Sequence, residues 1–148
     1  MAEYSVTHTY EAAPERVFDA WLDPAVARYF LFATPGGEMI RAETDPKVGG
    51  KFTFVDRRAE MGDVLHTGEY LEIDRPRRLA FTFGVPQFNP DFTRVTLDFA
   101  PTASGGCALT LTHSDVPAEW ADRSKEGWGK IIASLEGALE GKKAQAWA

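Results

Sequence analysis

The chain has 148 residues, close to the roughly 150 of one domain, and 44% of them are hydrophobic, enough for a full core without metals or disulfides. Sixteen Lys and Arg against 22 Asp and Glu leave a net charge of -6, which argues against nucleic acid or an anionic membrane as the main partner. One cysteine, Cys107, rules out an internal disulfide framework and suits a cytoplasmic setting; the longest apolar run, 29–33, is far short of the roughly 20 residues of a membrane span, and no signal-peptide pattern opens the sequence.

No repeat or linker divides the sequence, so one domain is expected over 1–148. Residues 6–10 alternate as a half-buried strand does. Pro14 then opens a helix whose apolar stripe is Val17, Phe18, Trp21 and Leu22. Asp23-Pro24 ends it and caps a second helix over 24–30, with Val26, Tyr29 and Phe30 facing inward, before a turn at Thr34-Pro35-Gly36-Gly37.

From Met39 to Ser114 the period is two, which predicts an antiparallel meander. Turn residues divide it into strands over 39–44, 51–57, 65–73, 78–83, 93–99 and 107–112. Parity gives the inward sets: Phe52 and Phe54; Leu71 and Ile73; Leu79, Phe81 and Phe83; Val95, Leu97 and Phe99; Leu109, Leu111 and His113. After Pro117 a helical period returns over 121–140, with Trp128, Ile131, Ile132, Leu135 and Leu139 on one face. Gly127, Gly129 and Gly137 each cost about 1 kcal/mol in a helix interior, and close approach of another backbone would explain them.

The predicted class is α+β, a helix-grip fold: a curved antiparallel sheet wrapped around a long C-terminal helix, with two short helices after the first strand. Five segments carry a family resemblance: Ala13-Pro14-Glu15-Arg16-Val17-Phe18-Asp19-Ala20-Trp21; Val48-Gly49-Gly50-Lys51-Phe52; Gly68-Glu69-Tyr70-Leu71-Glu72-Ile73-Asp74 running into Pro76-Arg77-Arg78-Leu79; Leu109-Thr110-Leu111-Thr112-His113; and Gly127-Trp128. In this order they resemble the START-like, polyketide-cyclase-like superfamily (SRPBCC), in the branch similar to the activator of heat-shock-chaperone ATPase. The resemblance implies a cavity between sheet and helix that holds a small hydrophobic or aromatic molecule. It also allows a cyclase-type enzyme or a chaperone-binding interaction module, although this chain departs from the two-domain layout of the family's named activator.

On this reading the cavity is lined by Phe52, Phe54, Glu69, Leu71, Phe81, Phe83, Val95, Leu97, His113, Trp128 and Ile132. His113 is either a half-buried histidine bonded to a backbone carbonyl or Asp115, or a hydrogen-bond donor or general base at the cavity end. Glu69 faces inward in a regular strand, whereas one extra residue near Gly68 turns Tyr70 inward instead. Phe88 and Phe92, in a loop held open by two prolines, are a lid, a partner surface or packing over the sheet end. His8, His66 and His113 fall on separate strands, and no zinc, dinucleotide or P-loop motif occurs, so neither a metal site nor a cofactor is expected. Arg41 and Glu43 read as an exposed cross-strand ion pair, and Ser114 as a turn or cap residue.

Overall fold

The computed structural model describes residues 2–34 and 36–142; Pro35, expected in the turn before the meander, lies outside them. In chain order the elements are β1 (Ala2–Tyr10), α1 (Pro14–Leu22), α2 (Pro24–Ala27), β2 (Glu38–Thr44), β3 (Lys51–Arg58), β4 (Gly62–Asp74), β5 (Arg78–Phe83), β6 (Thr93–Pro101), β7 (Cys107–Val116), a 3-10 turn (Ala118–Trp120) and α3 (Ala121–Ala138). The strands form one antiparallel sheet in the order β1-β7-β6-β5-β4-β3-β2. The meander is therefore sequential from β2 to β7, and β1 completes the sheet beside β7.

Local chemistry sets the helix ends. Pro14 opens α1, and Asp23 caps α2 by accepting the Ala25 N–H at 3.0 Å. Helix α2 is shorter than the expected 24–30. Its path tightens into bonds from Tyr29 N–H to the Val26 carbonyl and from Phe30 N–H to the Ala27 carbonyl, and Phe32 then stops it in the left-handed region at φ +62°. Phe30 is buried, while Val26 and Tyr29 are half-buried.

Helix α3 buries Trp128, Ile131, Ile132, Leu135 and Ala138, and the Tyr10 hydroxyl of β1 donates to the Ile132 carbonyl. The expected reason for its glycines is overturned: a Cβ on Gly127 or Gly129 would meet nothing within 4 Å, and one on Gly137 would meet only Lys142 at 3.5 Å. Arg41 and Glu43 do pair, with Nε to Oε2 at 2.7 Å, but along β2 rather than across strands.

Two bulges decide which side chains reach the interior. In β4, Tyr70 pairs with Phe81 and Glu72 with Ala80, so Leu71 is an extra residue. Before it, Val64, His66, Gly68 and Tyr70 face inward; after it the parity changes and Ile73 packs on the core. Parity carried back from Ile73 through this bulge gives the wrong face for Leu71 and for Glu69, and the alternative of one extra residue, which turns Tyr70 inward, holds with the insertion at Leu71 rather than near Gly68. Leu71 is 36% exposed, and Glu69, between the buried Gly68 and Tyr70, lies on the outer face. In β7, two residues lie between His113 and Val116 while only one lies between their partners Tyr4 and Ala2 on β1, and Asp115 absorbs the extra residue at φ +64°. Asp tolerates that conformation better than most residues, and the bulge lets both His113 and Val116 be buried.

Candidate functional site

The space between the sheet and the part of α3 that carries Trp128, Ile132 and Leu135 is filled. Phe32, from the segment after α2, stacks on His66 at 4.5 Å and on Phe83 at 5.0 Å, and stands edge-on to Phe54 at 5.8 Å and Trp128 at 5.6 Å. Its ring occupies the place where a cavity was expected. Phe52, Phe54, Phe81, Val95, Leu97, Trp128 and Ile132 accordingly sit in a continuous packed core. The left-handed backbone of Phe32 costs about 1–2 kcal/mol, which aromatic burial on this scale offsets.

A buried carboxylate anchors this segment. Asp56 on β3 is fully buried; its Oδ2 accepts the Thr34 hydroxyl at 2.7 Å and the Arg58 Nε–H at 2.9 Å. Gly37 packs so close that a Cβ there would lie 2.4 Å from Thr34 Oγ1 and 2.6 Å from both Asp56 oxygens. Only glycine fits.

A cavity of about 590 Å³ lies beyond Phe83, at the end of the sheet, where the 84–92 loop, the end of β7 and the start of α3 meet. Its apolar lining is Met61, Phe83, Val85, Phe88, Val116, Pro117 and Trp120; Thr93, His113 and Ser124 supply polar atoms, and Gly84, Asn89, Asp91 and Arg123 complete it. Of the residues expected to line a cavity, Phe83 and His113 are present, with Phe88 from the aromatic loop. Phe92 covers Gly84 instead, 3.1 Å from where a Cβ would stand. The indole of the cavity is Trp120 rather than Trp128.

His113 is held at both ring nitrogens. Its Nδ1 is 2.7 Å from the Tyr4 hydroxyl and 3.1 Å from Ser124 Oγ, and these two hydroxyls are 2.5 Å apart. Its Nε2 is 2.6 Å from Thr93 Oγ1, which in turn donates to the Phe83 carbonyl at 3.1 Å. Burial lowers the His113 pKa to about 4, so the ring is neutral at pH 7, and burial raises the Tyr4 hydroxyl to about 12 against a smaller opposing effect of its bond to Ser124. Neither a backbone carbonyl nor Asp115 is the His113 partner. Ser114, two positions from Val116, bonds Glu3 on β1 at 2.9 Å.

Sequence reasoning missed Tyr4, Thr93, Ser124 and Trp120. Tyr4 continues the alternation of Val6, His8 and Tyr10 toward the N-terminus, and Ser124 stands one helical turn before Trp128, so both signals were present. Thr93 and Trp120 sit at the ends of elements, where pattern carries least information. The other histidines are elsewhere: His66 lies in the aromatic core, and His8 meets Glu136 at 3.2 Å. Among the described residues no three of His, Cys, Asp and Glu group as metal ligands do. Ser124 and His113 resemble a nucleophile and its base, but Nδ1 is shared with Tyr4 and, among the described residues, no carboxylate orients the ring. A neutral imidazole of such low basicity also has little drive to take a proton.

A curved antiparallel sheet gripping a C-terminal helix, with an apolar cavity at one end, defines a START-like helix-grip protein. The model of the family described as activator of Hsp90 ATPase homolog 1-like protein matches residues 11–140, and the chain belongs to that family. A crystal structure of a Chromobacterium violaceum protein superposes with a TM-score of 0.81 at 23% identity, covering 95% of this chain and 99% of that one. An AHSA1-like protein from Aeromonas hydrophila gives 0.81 at 22% identity, covering 95% and 93%. An HSP90 activator from Plasmodium falciparum gives 0.71 at 27% identity, covering 95% and 97%. No curated protein matches the sequence.

Proposed function

We propose that this protein is a cytoplasmic, single-domain binder of a small hydrophobic or aromatic molecule, held in the cavity at the end of the sheet. The observation that carries the reading is the cavity itself: about 590 Å³, within the roughly 300–1,000 Å³ of small-molecule sites, with mainly apolar walls and one cluster of ordered polar groups. Apolar burial against Phe83, Val85, Val116 and Trp120 drives binding, and the cluster around His113 orients the ligand. Calorimetric titration with naphthalene as a probe tests it. Saturable binding to the wild type and loss in Val85→Trp, which fills the cavity, support the reading; no saturable binding, or equal binding by the variant, refutes it.

A second reading, a chaperone-binding module, draws on the likeness to the Plasmodium HSP90 activator and on the exposure of Met61, Phe88 and Trp120 around the same cavity. A protein partner seated there would compete with naphthalene.

A further inference from the structure

Resting on the cavity reading above, we propose that the polar end of the cavity selects ligands that donate a hydrogen bond, a phenol or other O–H or N–H group, and disfavours ethers and ketones. The basis is a proton count. A carbonyl can only accept, so the Thr93 hydroxyl spends its one proton on Phe83 O and must accept from His113 Nε2. Nε2 therefore carries the proton of the neutral ring, and Nδ1 is an acceptor. Tyr4 and Ser124 have two hydroxyl protons between them. One goes to Nδ1, and the other lies between the two oxygens, whichever of the two donates.

No proton of this network is left over. Thr93, His113 and Ser124 line the cavity, yet what the hydroxyl oxygens have left to offer is lone pairs. A ligand hydroxyl adds the missing donor. An ether or carbonyl oxygen placed against Thr93, His113 and Ser124, rather than against the N–H groups of Asn89 or Arg123 elsewhere in the lining, meets acceptors only and gives up its bonds to water for nothing. His113 itself needs no ligand partner, because both its nitrogens are bonded within the protein.

The test compares 2-naphthol, 2-methoxynaphthalene and naphthalene by calorimetry. The naphthol should bind the wild type about fivefold to tenfold more tightly than the methyl ether. Thr93→Val takes the acceptor from Nε2, moves the ring proton to Nδ1, and turns the Tyr4 and Ser124 protons outward; the preference should shrink to nothing or reverse. Nitrogen chemical shifts of the His113 imidazole in the unmodified protein give a readout that needs no variant, and should show the proton on Nε2. A proton on Nδ1, equal binding of naphthol and ether, or a preference untouched in a folded Thr93→Val would overturn the inference. Failure of all three compounds to bind would instead refute the cavity reading.

Discussion

Tyr4 and His113 are direct partners in the pairing of β1 with β7, and the Tyr4 hydroxyl lies 2.7 Å from His113 Nδ1. Backbone register thus delivers the contact that, with Ser124 from α3, ties three elements together at the cavity. Tyr4→Phe keeps the ring and removes the hydroxyl that both His113 and Ser124 use. It should lower unfolding free energy by about 1–3 kcal/mol in urea titrations. No measurable change would mean that water replaces the hydroxyl at no cost and that the network is loose.

Acid should destabilise the fold through two buried imidazoles. Burial brings both His66 and His113 from 6.5 to about 4; for His66, Arg58 pushes the same way while backbone acceptors and Asp56 oppose it. Unfolded histidines take protons as pH falls through 6.5, whereas the folded ones wait until about 4. In that window the unfolded chain binds more protons, so stability falls as pH falls and is fully regained above it. The loss at the acid end should be of order 3 kcal/mol for each ring. Proton NMR should find neither ring titrating between pH 7.5 and about 5, and a midpoint near 6.5 for either would show that it is solvated.

Phe32 plugs the interior that a helix-grip protein can leave open. Phe32→Ala should cost about 3–5 kcal/mol, because its neighbours belong to separate strands and to α3 and cannot all close on the void. A cost below about 1 kcal/mol would show that the ring is not packed as described. Asp56→Ala, which removes the anchor for Thr34 and Arg58 without touching Phe32, should destabilise in the same assay by about 3 kcal/mol.

The glycines of α3 carry an opposite expectation. With open space around a Cβ at Gly127 and Gly129, alanine at either position should raise stability by about 0.5–1 kcal/mol. Destabilisation would mean that the helix needs their freedom.

These residues mark how far the sequence could be read. The meander from β2 to β7, the helix positions and most inward sets were legible because alternation and helical period are local, as with Val95, Leu97 and Phe99; the place of β1 beside β7 was not. The cavity was not, for two physical reasons. Phe32 lies in an apolar run that looks like the end of a helix, and only its left-handed backbone sends it into the interior. The bulges at Leu71 and Asp115 each insert one residue, and parity has no means of detecting an insertion. His113 was found because it shares parity with Leu109 and Leu111, but its partners come from β1, β6 and α3, which are distant in sequence.

The most direct test of the account is to map bound naphthalene by methyl NMR. Ring-current shifts should saturate together at Val85 and Val116, which line the cavity, and leave Leu97 and Ile132, in the filled core, unchanged. Saturating shifts at Leu97 and Ile132 without change at Val85 and Val116, or no saturable shift at any of the four, would contradict it.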